Sequence, residues 1–331
     1  MDIIGIIPAR FASTRFPGKP LAPLGGKPVI QHVYERAAKV LDAVYVATDD
    51  ERISSAVKAF GGNVVMTSAN HRSGTDRIRE AMEKIGSGCD VIINIQGDEP
   101  FVSPVQIKAL CDCFDDEATQ IATLGIAFKH DMVAISNPNS PKIVVDNNGY
   151  AMYFSRSVIP FVRGAEANEW AGRYPFLKHI GLYGYRRKVL EEITCLPPSS
   201  LEMAENLEQL RWLQNGYRIK VGITDIETIG IDTPEDLEKA ENTVKNVTVF
   251  VFNANGTLDK KQTFASSSFS ETITGLIAGT KKVVVVANVP SGVAFPDGIN
   301  YSWFADAQNA MDLETQSPQT NGLFMSGEGT V

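Results

Sequence analysis

Four short runs of nearly continuous apolar residues punctuate the first third of this 331-residue chain: IIGII (3–7), AVYVAT (43–48), NVVMT (63–67) and DVIINIQ (90–96). Runs of that length and make-up read as strands buried on both faces, because a strand with one wet face would alternate polar and apolar residues. Between them PVIQHVYERAAKV (28–40), ERISSAVKAFG (51–61) and TDRIREAMEKI (75–85) repeat their apolar residues at helical spacing, and Gly61 and Gly86 supply stops. Strands alternating with helices predict an α/β domain built on a doubly wound, mainly parallel sheet.

Ligands of such sheets bind outside the carboxyl ends of the strands. That rule places PARFASTRFPGKP (8–20) at the mouth of a site. The stretch carries Arg10, Arg15 and Lys19 with no acidic neighbour, in a chain of formal net charge −8. Ser13, Thr14 and Gly18 allow close backbone approach, and a strand-to-helix junction with backbone N–H groups and cations is where phosphates bind. Neither G-x-x-x-x-G-K-[ST] nor G-x-G-x-x-G occurs in it. The alternative is a solvated basic loop. The acidic balance of the whole chain argues against a nucleic-acid partner and suits a small anionic ligand.

Two further stretches place carboxylates at strand ends. In NIQGDEPFV (94–102), Asp98 and Glu99 follow an apolar run directly, and Gly97 leaves room for a ligand. Carboxylates facing a phosphate loop are the usual way to hold Mg²⁺, though an ordinary acidic turn has the same composition. In TIGIDTPEDL (228–237), Asp232 lies between an apolar run and a helix start; taken alone it reads as a turn or N-cap residue.

Beyond residue 120 the pattern changes. IATLGIAF, KIVVD, YAMYFS and KHIGLYGYR (within 121–186) predict a smaller antiparallel insertion or lid, and SLEMAENLEQLRWLQNG (200–216) predicts one helix with Leu201, Leu207, Leu210 and Leu213 along its apolar stripe. RIKVGIT and TPEDLEKAENTV close a first domain at residue 245. Residues 246–331 contain no Arg, His or Cys and hold four lysines against seven acids. VTVFVFNANGTLDKK reads as strand, Asn-Gly turn and return strand, and KKVVVVANVP as another strand, so this part is an all-β, partial sandwich-like segment. No segment approaches the length of a membrane span, MDIIGIIPAR lacks a leader's basic region, and the four cysteines lack zinc spacing. A reduced, cytoplasmic protein without membrane contact is the expectation.

IPARFASTRFPGKPL, VATDD, SGTDR, NIQGDEP, YFSRS, HIGLYGYR, LEQLR and GIDTPEDL occur in the order found in the 3-deoxy-manno-octulosonate (Kdo) cytidylyltransferases, and residues 1–245 resemble that family over its whole length. The resemblance implies a Rossmann-like nucleotidyltransferase fold, a homodimer, CTP and Kdo as substrates and Mg²⁺ as cofactor. It implies that Ala9, Arg10, Ser13, Thr14, Arg15, Lys19, Ser73, Gly74 and Arg77 bind the nucleotide, with Arg10, Arg15, Lys19 and Asp98 serving catalysis. Asp98 and Asp232 would hold the metal. Gln96, Arg156, His179, Tyr183, Glu208 and Gln209 would bind the sugar acid, Arg156 meeting its carboxylate. No Ser–His or Cys–His motif suggests a covalent intermediate. Residues 247–331 resemble the start of a fimbrillin, a surface pilus subunit. That segment is expected to be an incomplete appendage from a fused frame, and an adhesive or structural subunit is the competing class. A cytidylyltransferase for another 2-keto sugar acid is the competing enzyme.

Overall fold

A computed structural model describes residues 1–12, 16–24, 26–86, 88–129, 131–227, 230–231, 233–242, 246–265, 273, 275–287, 298–302 and 325–330. By its contacts the chain divides into two compact units: Met1–Pro23 with Lys27–Ile231, and Leu24–Gly26 with Asp232–Val331.

In the first unit, β1 (Ile3–Ala9), β2 (Ala43–Thr48), β3 (Asn63–Met66), β4 (Val91–Asn94), β5 (Ile121–Ala127), β6 (Lys142–Val145), β7 (Ala151–Ser155), β8 (Leu177–Arg186) and β9 (Ile219–Thr224) form one nine-stranded sheet. Its main path runs β9-β5-β8-β4-β1-β2-β3. Parallel pairs join β4, β1, β2 and β3, and also β5 with β9; β8 runs antiparallel to both its neighbours. Helices α1 (Val29–Ala37), α2 (Glu51–Ala59) and α3 (Gly74–Ile85) are the crossovers between the first four strands, and α4 (Pro104–Asp112) follows β4. Each of the last three starts on a polar cap: Asp50 accepts from the Arg52 amide, Ser73 from the Asp76 amide, and Ser103 from the Val105 amide. Both faces of the sheet are covered, so β1 and β4 are apolar throughout, with Ile4, Ile6, Ile7, Val91, Ile92 and Ile93 fully buried.

The strand order makes the site. From β1 the chain steps to β2 and β3 on one side, then returns to place β4 on the other. The carboxyl ends of β1 and β4 therefore flank a switch point, where connections leave in opposite directions and open a crevice.

Two expectations change. Of the four strands read as a separate insertion, β5 and β8 belong to the central sheet; only β6 and β7 form an antiparallel hairpin, attached to β8 at Leu177 and Lys178. The reason is burial: β5 is buried at its first six positions, which requires cover on both faces. The single helix expected over 200–216 is two short ones, Ser200–Glu205 and Gln209–Gln214. Asn206 breaks it in the left-handed region, at φ 51°, a conformation its short polar side chain tolerates.

The second unit contains a helix, Pro234–Asn242, and an antiparallel sheet of β10 (Asn246–Asn253), β11 (Leu258–Ala265), β12 (Lys281–Ala287) and β13 (Met325–Thr330) in the order β11-β10-β12-β13. Phe250, Phe252, Val284 and Ile299 form its apolar cluster. Lys281 Nζ donates to Asp259 at 2.6 Å and to Asn253 at 2.6 Å, an ion pair with both side chains nearly enclosed.

Candidate active site

A cleft of about 240 Å³ opens at the switch point, lined by Pro8, Ala9 and Arg10 after β1, by Lys19 and Pro20, by His71, Arg72, Ser73, Gly74 and Arg77 around the start of α3, and by Gln96, Gly97 and Asp98 after β4. Gly97 is required by packing. A Cβ there would stand 2.8 Å from the Pro8 carbonyl oxygen, so only glycine lets the two strand ends close up. Gly18 closes the basic loop: its amide donates to Phe11 O at 2.9 Å with φ 75°, and the Phe11 ring fills the space a side chain would need.

Lys19 and Asp98 face each other across the cleft. The Lys19 ammonium donates to Asp98 Oδ2 at 2.7 Å, and Lys19 is only 8% exposed. The chain at Ile231 is tied to the same place by its amide, 2.9 Å from the Asp98 carbonyl oxygen. Arg77, 4% exposed, donates to Thr67 Oγ1 at 2.6 Å and lies 3.3 Å from Asp49. Its guanidinium thus braces the ends of β2 and β3 beneath the cleft. Arg10 is exposed and Arg72 half-buried, so with Lys19 they present positive charge to an incoming anion.

A second set of polar groups adjoins the cleft on the β8 side. Tyr183 is the register partner of Asn94, and Gln96 Nε2 donates to Asn94 Oδ1 at 3.1 Å. Glu208 accepts from Thr75 Oγ1 at 2.7 Å, which ties the Gln209–Gln214 helix to the first turn of α3. Burial pushes the Glu208 carboxyl above its usual range, against the lowering effect of Thr75 and Arg211. His179 contacts Thr123 Oγ1 at 3.1 Å and lies edge-on to Phe154; burial pushes its pKa down to about 3, so the ring is neutral at physiological pH.

A family model described as cytidylyltransferase matches residues 4–221. The chain belongs to the cytidylyltransferase family. Among its relatives, the 3-deoxy-manno-octulosonate cytidylyltransferase of Parabacteroides distasonis is 65% identical over 243 residues, 72% of this chain and 97% of that protein. The 8-amino-3,8-dideoxy-manno-octulosonate cytidylyltransferase of Shewanella amazonensis is 48% identical over 250 residues, 74% of this chain and 99% of that protein. A solved structure of CMP:2-keto-3-deoxy-manno-octonic acid synthetase complexed with CTP aligns with TM-score 0.68 at 44% identity, covering 73% of this chain and 97% of that one. A second family model, the major fimbrial subunit protein (FimA), matches residues 219–331. That match begins at β9, well before the composition shift at residue 246.

The cytidylyltransferase cleft gathers Ala9, Arg10, Lys19, Ser73, Gly74, Arg77, Gln96 and Asp98. Ser13, Thr14, Arg15 and Asp232 lie outside the described residues. Of the group expected to bind the sugar acid, Gln96 lines the cleft, whereas Tyr183 (7% exposed) and Gln209 (5% exposed) are buried in its wall. Arg156 corrects the expectation most clearly. Its Nε donates to Glu205 O at 2.7 Å, Nη1 to Pro138 O at 2.9 Å and Nη2 to Asn206 O at 3.2 Å. The guanidinium caps the carbonyls released by the Asn206 break and does not line the cleft. His71 and Arg72 line it and were not singled out from the sequence, although HRSGTDR sets both immediately before the Ser73 cap. All four cysteines are free thiols, and burial pushes Cys111 up to about 12 and Cys113 up to about 11.

Proposed function

We propose that this cytidylyltransferase transfers CMP from CTP to 3-deoxy-manno-octulosonate, giving CMP-Kdo and pyrophosphate. The carrying observation is the meeting of Arg10, Lys19 and Arg72 with Asp98 at the switch point of the sheet. Three cations converge where a triphosphate would lie, and a carboxylate sits opposite them. The chain's 65% identity to a protein named for this reaction supports the acceptor.

Displacement at the α-phosphorus needs positioning and charge neutralisation more than proton relay. Lys19 and Arg10 would take up charge on the departing pyrophosphate, while Ser73 and Gly74 present backbone groups at the capped start of α3. Gln96, held by Asn94, would contact the sugar acid, with Tyr183, Glu208 and His179 shaping the wall behind it. Asp98 suits a hard divalent cation: its carboxylate already stands beside a cation, and the Ile231 amide brings the residue before Asp232 to it. Asp98 and Asp232 would hold Mg²⁺, which when bound supplies Lewis-acid polarisation of the phosphate oxygens. Residues 1–245 form the catalytic domain in this proposal and 246–331 add nothing to the reaction. A cytoplasmic homodimer is its expected form. Among the described residues no helix is long and apolar enough to cross a membrane.

A second acceptor is favoured by the relative named for the 8-amino sugar acid. Pyrophosphate release from CTP with Mg²⁺ separates the two, comparing Kdo with 8-amino-3,8-dideoxy-manno-octulosonate. Preference for Kdo supports the proposal, preference for the amino sugar selects the second acceptor, and silence with both overturns the assignment.

A further inference from the structure

His71 borders the cleft beside Arg72 and Ser73, and its Nε2 is in hydrogen-bond contact with Glu80 Oε2. Glu80 lies midway along α3, and its carboxylate is tightly held. It accepts from the Ser68 amide at 2.8 Å and from Lys84 Nζ at 2.7 Å, and Lys84 also donates to Met66 O at 2.8 Å. The ring is therefore fastened both to the helix and to the end of β3. Burial by itself would raise Glu80, but Lys84, the Ser68 amide and His71 outweigh it and hold the pKa down to about 2. An ionised carboxylate can only accept hydrogen bonds, so the ring nitrogen facing it must carry the hydrogen. Nε2 is then the donor, and in the neutral imidazole Nδ1 is left as an acceptor. Phosphate oxygens accept only, so they do not match Nδ1; the nucleoside part of CTP offers donors that do.

We propose that His71 reads the nucleoside, its Nδ1 accepting a hydrogen bond from the 4-amino group or the ribose 2′-hydroxyl of cytidine, and that Glu80 is the positioning residue that fixes the tautomer. The inference rests on the CTP reading of the cleft. It divides the labour there: Arg10, Lys19 and Arg72 answer the phosphates, and His71 answers the nucleoside. Glu80→Gln separates orientation from charge, because its amide can offer a hydrogen to Nε2 and turn Nδ1 into a donor.

The test is equilibrium binding of CTP, dCTP and UTP, without acceptor, to the full chain and to His71→Ala, Glu80→Gln and the double variant. His71→Ala should weaken CTP about tenfold, as expected for loss of one hydrogen bond in a partly desolvated site. Glu80→Gln should weaken it comparably, and the double variant no further than His71→Ala, because the two residues act as one unit. Indifference of UTP binding to His71→Ala assigns the 4-amino group; indifference of dCTP assigns the 2′-hydroxyl. An equal loss for all three nucleotides, full additivity in the double variant, or unchanged CTP affinity in His71→Ala each overturns the proposal. If Lys19→Ala loses CTP while His71→Ala does not, the nucleotide cleft stands and this inference fails. No CTP binding by the unaltered chain sinks both.

Discussion

The Lys19 ammonium and the Asp98 carboxylate, 79 positions apart in sequence, meet at 2.7 Å across the switch point. In this structure each neutralises the other, and each has a separate task once a nucleotide is bound. Lys19 must turn to phosphate oxygens, which frees Asp98 for a metal cation. Lys19→Met is expected to lower kcat by about 10²–10³, the usual cost of removing one group aimed at developing charge. Steady-state pyrophosphate release with saturating CTP measures it, and activity within twofold of the unaltered protein would exclude that role.

Asp98→Asn tests the metal side of the same pair. The isosteric amide keeps the shape and loses the charge. The expected result is a large rise in the Mg²⁺ concentration needed for half-maximal activity, with the fold unchanged by circular dichroism. An unmoved Mg²⁺ requirement would remove Asp98 from the metal site.

Gly97 is held against the Pro8 carbonyl. Gly97→Ala must push β1 and β4 apart at the cleft, at a cost of about 1–3 kcal/mol by analogy with overpacked cores. Thermal unfolding should report the destabilisation, and the KM for CTP should rise with it. Unchanged values of both would mean that the strand ends yield easily.

Glu80 gives a pH signature. Its folded pKa is depressed to about 2 from an ordinary 4.5, so its contribution to stability is present above about 4.5 and lost as pH falls toward 2. Urea midpoints of the protein and of Glu80→Gln should differ at pH 7 by no more than about 1 kcal/mol, given solvent screening, and converge by the acid end of that window. A difference that grows on acidification would contradict the sign.

In the second unit, Lys281→Met strands the Asp259 carboxylate, whose pKa is held down chiefly by the Lys281 hydrogen bond. The second unit should then unfold at lower denaturant, while pyrophosphate release stays within twofold. Loss of activity would contradict the proposal that residues 246–331 add nothing to the reaction.

The apolar runs at 3–7, 43–48, 63–67 and 90–96 were legible because a strand buried on both faces leaves an unbroken signature, and the helices between them keep one wet face. The same signature misled over 121–186, since a buried antiparallel strand such as β8 looks identical to a parallel one. Asn206 was hidden for a different reason: a left-handed break costs one residue and leaves the leucine spacing intact. Arg156 then follows that break, donating to carbonyls that an unbroken helix would have kept.

The sequence by itself determined the class of sheet, the basic loop at its mouth and the carboxylate after the fourth strand, because these are set by local pattern and by the rule of strand ends. Only the tertiary structure decided that β8 enters the central sheet, that Lys19 pairs with Asp98, and that Glu80 orients His71. Those are contacts between residues distant in sequence or across a loop and a helix. Periodicity fixes which face of an element is buried, not which partner it meets there.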